Sequence, residues 1–315
     1  MQFVRVLLGG LLLMATGSAL ALNIVITNDD GYQTTNIRAL YQALKARGDQ
    51  VIISAPKVNQ SGKSGSINFI RPTEVGSDPA DADIHYVDGT PVMSMLYGLD
   101  VVAQQRFGAM PDLVISGPNE GHNLGYATTM SGTDGAAVVA LHRGIPAIAV
   151  SASENTADNE ALSAAVATMV VKVIDQLETD GQLSLAKGYG LNMNIPAFDD
   201  AAQAPGQFAF SRISQMSDVN PVFRADLSTD LIAQSYAPGI RGAGISFYFP
   251  GVNSLPEGVS LPVDDDPLAE TRLVNQGFIT LSVIDGDYNA KRHAEEAARL
   301  QLHDLFDGEA ADATP

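Results

Sequence analysis

The sequence predicts an α/β fold, doubly wound around a mostly parallel sheet and followed by a C-terminal β-hairpin and helix extension. Three observations carry this. From Leu22 to about Ser151, short apolar runs alternate with amphipathic helical stretches, the pattern of strands joined by crossover helices. A chain of 315 residues, 45% hydrophobic and 17% charged, can bury a large core. Beyond about Ala197 the pattern changes to irregular Gly, Pro and Asp punctuation with short β-like runs, which reads as hairpins rather than a second doubly wound unit.

Residues 1–21 read as a secretory signal peptide: Arg5, an apolar run from Val6 through Ala15, then Ala19-Leu20-Ala21 as a small-residue cleavage site. The run is short and broken by Gly9, Gly10 and Gly17, so a membrane span is disfavoured. Cleavage after Ala21 would leave a periplasmic or secreted chain without a membrane anchor. The absence of cysteine fits an exported protein that needs no disulfide.

The core is expected over residues 22–196. Its first strand, Asn23–Thr27, runs into Thr27-Asn28-Asp29-Asp30-Gly31. A first helix is marked by Ile37, Leu40, Tyr41 and Leu44 at i, i+3, i+4 and i+7, and Gly48 closes it. Strands follow at 50–55, 112–116 and 147–151. A second helix should start after Gly89-Thr90-Pro91, and a third should span Gly132–His142, ended by Gly144 and Pro146. The helix Glu160–Leu177 leads to Leu191-Asn192-Met193-Asn194-Ile195-Pro196, a strand stopped by proline. A β-rich arm is expected over 197–288, with β-like runs at 245–249 and 278–284, then a helix over 289–307 and a disordered acidic tail over 308–315.

Formal net charge is −18, so the summed field repels DNA, RNA and anionic lipid, and a nucleic-acid polymer is a poor partner. A phosphorylated small molecule can enter only where a cation or a cluster of donors reverses that field. Two adjacent carboxylates at a strand's carboxyl end, Asp29 and Asp30, can meet one ion if the backbone turns, which Gly31 permits. The plainer alternative is an Asx turn in which Asp30 or a following Thr caps the next helix.

Three more loops follow strands. Ala55-Pro56-Lys57 through Ser66 holds Gly62-Lys63-Ser64 but has Lys57 where a P-loop needs glycine, so a P-loop is excluded; Ser61 remains for a metal and Lys63 for a phosphate, in a loop that could equally be plain solvated surface. Ser116-Gly117-Pro118-Asn119-Glu120-Gly121-His122-Asn123-Leu124-Gly125 presents amides that suit hard cations through oxygen and phosphates through nitrogen, unless they only close Asx turns. Ser131-Gly132-Thr133 opens a helix whose free N–H groups make an anion site, with Ser131 or Thr133 as donor or as helix cap. His122 alone among the histidines falls in such a loop, and general-acid work would need geometry first. CxxC, HExxH and GxSxG patterns are absent, which removes the usual support for zinc and serine hydrolases.

Together these four loops, in order and spacing, resemble the SurE family, the survival-protein 5′/3′-nucleotidases. The likeness spans about residues 23–151, returns at Asn192-Met193-Asn194-Ile195-Pro196, and is looser from 248 to 287. It implies a Rossmann-like core with a C-terminal extension exchanged between subunits, hence a homodimer or homotetramer. The implied activity is metal-dependent phosphomonoester hydrolysis of a nucleoside monophosphate with Mg²⁺ or Mn²⁺. Carried over residue by residue, the metal ligands are Asp29, Asp30, Ser61 and Asn119. Ser61, Gly62, Asn119, Asn123, Ser131, Gly132 and Thr133 contact substrate phosphate, and Asp29, Asp30, Asn123 and Ser131 are catalytic. The chain departs from the family in Pro118 for a branched aliphatic residue, in Ala269-Glu270 for Thr-Asp, in Gly277-Phe278-Ile279-Thr280 for Gly-Tyr-Val-Ser, and in Arg272 where some members carry His. Two other classes compete: a calcium-dependent nucleoside N-ribohydrolase, and a periplasmic phosphoester-binding protein without catalysis.

Overall fold

In a computed structural model the described residues are 21–179, 182–185, 187–287, 289 and 291–302. The expected signal segment before Ala21 and the expected acidic tail lie outside them. The chain forms β1 (Asn23–Thr27), α1 (Thr35–Arg47), β2 (Gln50–Pro56), β3 (Val75–Asp78), β4 (Asp81–Val87), α2 (Pro91–Tyr97), α3 (Ala103–Arg106), β5 (Leu113–Glu120), α4 (Gly132–His142), β6 (Ala147–Ala152) and α5 (Glu160–Leu177). The short β7 (Glu178–Thr179) and β8 (Gln182–Leu183) pair with each other. Then come β9 (Tyr189–Asn194), β10 (Phe208–Ser211), β11 (Asn220–Arg224), α6 (Leu231–Tyr236), β12 (Gly244–Tyr248), α7 (Glu270–Asn275), β13 (Ile279–Asp285) and α8 (Arg292–Gln301).

Nine strands make one sheet in the order β10-β13-β9-β6-β5-β1-β2-β4-β3. From β9 to β4 the neighbours are parallel. Side chains alternate across the pleat, and that alternation builds two cores. Ile24 and Ile26 pack with Ile37, Leu40 and Leu44 of α1 and with Val166 and Val170 of α5. Val25 and Ile52 pack on the opposite face with Met95 of α2 and with Ala136, Ala137 and Ala140 of α4. Truncating a buried isoleucine such as Ile26 to alanine should cost about 2–5 kcal/mol, since both sides of the sheet are filled.

Local chemistry sets the helix ends. Gly48 is left-handed at φ 105° and its N–H reaches the Leu44 and Lys45 carbonyls, with Lys45 and Arg47 in the last turn where the helix dipole favours cations. Thr90 caps α2 with Pro91 at its first position, and Asn159 caps α5 through Leu162 N–H.

The run at 278–284 corrects the sequence reading. It does not form a hairpin in an arm: β13 enters the main sheet, antiparallel to β9 from Thr280↔Asn194 to Asp285↔Tyr189, and parallel to β10. The edge of β9 offers unpaired backbone groups, and Ile279, fully buried, joins the core that α1 and α5 cover. The other β-like run is β12, which pairs antiparallel with β11 outside the main sheet across a connection that carries α6, so it is not a simple hairpin either. The helix expected over 289–307 is described over Arg292–Gln301. Among the described residues no helix is long and apolar enough to cross a membrane.

Candidate active site

The chain moves from β1 outward through β2 to β4, then returns to lay β5 on the other side of β1. The strand order therefore reverses at β1 and β5. The carboxyl ends of strands at such a reversal are where open α/β sheets bind ligands. Thr27 pairs with Ser116, so Asp29 and Asp30 emerge next to Asn119.

Asn28 turns the β1 loop. Its side-chain nitrogen donates to the Gly31 carbonyl at 2.9 Å, and the Gly31 N–H, at φ 121°, donates back to Asn28 Oδ1 at 3.1 Å. Asp29 points at the start of α4: Thr133 Oγ1 donates to Asp29 Oδ1 at 2.6 Å, and backbone groups of Gly132 and Thr133 add to it. A Cβ at Gly132 would lie 2.8 Å from the Asp29 Cβ, so glycine allows this approach. Asp30 takes the Glu120 N–H at 3.0 Å and the Asn59 amide at 3.3 Å. Asn119 donates its side-chain N–H to the Gly121 carbonyl at 2.6 Å, which leaves its amide oxygen as the group a cation would meet.

Both acids are buried, Asp29 at 3% and Asp30 at 8% exposed, and among the described ion pairs none involves either. Burial pushes the Asp29 carboxyl above its ordinary value, against the hydrogen bonds from Thr133 and the backbone that hold it down. Burial first, and then the charge of Asp29, push Asp30 up to about 8. Two adjacent buried carboxylates with an amide oxygen beside them form an oxygen donor set suited to a hard divalent ion, and such an ion would relieve this repulsion. The residues fit a cation. Among the described residues no group of three or more His, Cys, Asp or Glu converges, so the seat depends on amide and hydroxyl oxygens to complete it.

The remaining residues fall around this pair. Ser61 is exposed on the β2 loop, one residue after Gln60, whose N–H donates to the Asp29 carbonyl at 2.6 Å; Gly62 follows it. Ser131 caps α4 by accepting the Asp134 N–H at 3.0 Å, so its own hydrogen stays free to be donated. Thr133 spends its hydroxyl on Asp29. Asn123 is held on three sides: its N–H donates to Asn194 Oδ1 at 3.0 Å, its side-chain nitrogen donates to Ser151 Oγ at 3.0 Å, and its carbonyl accepts from Asn192 and Asn194. His122 puts Nε2 2.6 Å from the Ile195 carbonyl, an acceptor only, so the proton sits on Nε2 and is engaged. Burial also lowers the imidazole's pKa.

Sequence reasoning missed Asn59 and the Glu120 N–H as supports of Asp30, and gave no role to Asn192 and Asn194, although their strand carried part of the resemblance. A separate cavity of about 770 Å³ lies between loop 63–66, α4 and the end of β13. Asp134 and Gly135 of α4 line it, and none of Asp29, Asp30 and Asn119 does.

The fold is that of a doubly wound α/β protein whose switch point carries an acid pair, flanking amides and a helix N-terminus. Residues 24–218 match the family model described as survival protein SurE. The chain is 30% identical over 301 residues to an acid phosphatase of Yarrowia lipolytica, a match covering 85% of this chain and 80% of that one. It is 38% identical over 178 residues to the 5′-nucleotidase SurE of Polaromonas naphthalenivorans, covering 56% of this chain and 66% of that protein. The crystal structure of SurE from Aquifex aeolicus is 25% identical, covers 89% of this chain and 99% of that one, and superposes with a TM-score of 0.66. The chain belongs to the SurE family.

Proposed function

We propose that this protein is a metal-dependent phosphomonoesterase that hydrolyses nucleoside monophosphates to nucleoside and phosphate. An enzyme of the phosphatase and nucleotidase class is what its family and the names of its relatives support. One observation carries the finer reading: Asp29 and Asp30 leave β1 beside the end of β5 that bears Asn119, with Thr133 in the first turn of α4 hydrogen-bonded to Asp29 and the Glu120 N–H to Asp30. Asp29, Asp30, Asn119 and the Ser61 hydroxyl would hold Mg²⁺ or Mn²⁺, hard ions matched to oxygen. Bound there, the ion supplies charge neutralisation at the phosphoryl oxygens and a more acidic water.

The chain's own residues do the rest. Thr133 fixes the rotamer of Asp29, and the Glu120 N–H fixes that of Asp30. With the cation bound Asp30 would be ionised, and a carboxylate of the pair can take the attacking water's proton. The second amide hydrogen of Asn123, the free hydroxyl hydrogen of Ser131 and the α4 N-terminus bind the other phosphoryl oxygens as negative charge shifts onto them. Without a cation, the acid pair repels a phosphate.

Export to the periplasm or beyond is part of the proposal, supported by the pattern of residues 1–21. So is assembly into a homodimer or homotetramer, supported by Phe208, Phe210 and Val283 exposed on the β10–β13 edge. The deciding experiment measures phosphate release from 5′- and 3′-mononucleotides, polyphosphate and sugar phosphates with Mg²⁺, Mn²⁺ or chelator. Cation-dependent release from mononucleotides is expected. Release of free base, or tight stoichiometric binding without turnover, would replace this reading by one of its rivals.

A further inference from the structure

Glu270 opens the short helix α7, far along the chain from the acid pair, and it is fully buried. Among the described ion pairs none involves it. Instead it collects N–H and O–H donors: the Gly125 N–H reaches Oε1 at 2.9 Å, while Ser282 Oγ and Asn192 Nδ2 reach Oε2 at 3.0 and 3.3 Å. A backbone contact from Ser214 adds to these. A carboxylate is the one side chain that can accept on both oxygens at once; an amide in its place would turn a donor toward donors. The donors are not scattered. Gly125 ends the loop that carries Asn119 and Asn123, and the Asn192 side chain, while donating to Glu270, also donates to the Asn123 carbonyl at 3.2 Å. One carboxylate from the C-terminal segment therefore grips the phosphate-facing loop at two points, directly at Gly125 and through Asn192 at Asn123.

We propose that Glu270 is a positioning residue for phosphoryl transfer, holding residues 123–125 so that the Asn123 amide faces the phosphate. It touches neither substrate nor cation. Its effect passes through the backbone of 123–125, where a displacement of about 1 Å costs on the order of 100-fold in rate. This role rests on the proposed function, so its test has one arm that does not.

The first arm is amide hydrogen exchange on the full chain without substrate. Glu270→Gln and Asn192→Ala should each speed exchange at residues 123–125 by about 10-fold or more, the loss of one charge-assisted hydrogen bond. The second arm is turnover of a mononucleotide that the wild type hydrolyses. Both variants should lower kcat about 10- to 100-fold with the cation concentration for half-activation unchanged, Glu270→Asp should recover part of the loss, and the double variant should lose little more than either single one. A Glu270→Gln protein that is folded, exchanges at the wild-type rate at 123–125 and keeps wild-type kcat overturns the proposal. So does one whose melting temperature falls while kcat per folded molecule stays put. If Glu270→Gln does not fold, Asn192→Ala decides by the same criteria. A wild type that hydrolyses no mononucleotide sinks the proposed function, while the exchange arm still reads whether Glu270 fixes the loop.

Discussion

Replacing both acids of the pair, Asp29→Asn with Asp30→Asn, should make the cation-free protein less sensitive to pH. Asp30 is held at about 8 in the folded chain against an ordinary 3.8, so the native state keeps a proton that the unfolded chain releases. The stability contributed by this proton is then greatest below about pH 4, falls as pH rises through the window, and is gone above about pH 8. Each pH unit inside the window costs about 1.4 kcal/mol per extra native proton. From pH 5 to pH 7 the pair should therefore cost the wild type about 3 kcal/mol. Glu270, pushed up to about 7 by burial, contributes with the same sign and persists in the variant. The comparison must therefore be a difference between two slopes. Urea denaturation with chelator present, at pH 5, 6 and 7, measures it by linear extrapolation. Adding Mn²⁺ at pH 7 to 100 times its Kd should return about 2.7 kcal/mol to the wild type and nothing to the variant. Equal slopes in the two proteins, or equal stabilisation by Mn²⁺, would refute both the repulsion between these acids and their role as a cation seat.

The single substitution Asp29→Asn should lower kcat by about 1,000-fold or more, a loss of about 4 kcal/mol of transition-state stabilisation, because cation charge and Thr133 geometry are both disturbed; phosphate release with a metal-free control tests this, and retained turnover is fatal to the scheme. Gly117→Ala places a Cβ 2.2 Å from the Val150 carbonyl oxygen at a φ of 120°, so the urea midpoint should drop by the equivalent of about 3 kcal/mol or more. The mature chain, purified from its native compartment, should begin at Leu22 by intact mass. The Leu22 nitrogen sits 3.1 Å from Asp49 Oδ1, so a free amine there gains a charged partner, and Asp49→Asn should destabilise the processed chain more than the unprocessed one.

Much of the core was legible because its signals are local. The strand expected at 23–27 is β1, residue for residue, and the helices expected at Gly132–His142 and Glu160–Leu177 are α4 and α5. Apolar spacing and capping residues act within a turn or two, so a linear reading reaches them. Strands expected at 112–116 and 147–151 extend to Glu120 and Ala152, since the carboxyl ends of buried parallel strands carry polar site residues that periodicity does not mark. The acid pair and its amide neighbours stood out for the same reason: Asp-Asp-Gly after an apolar strand conflicts with core packing unless the carboxylates have work to do.

The order of amino acids thus determined which segments become strands and helices, and which side chains stand at their ends. Only tertiary structure decided that β13 completes the main sheet, that Thr133 spends its hydroxyl on Asp29, and that Glu270 closes on Gly125 and Asn192. Those outcomes join residues far apart in the chain. A buried hydrogen-bond donor or acceptor takes whichever partner the packed layers bring within reach, and no local pattern records which one that will be.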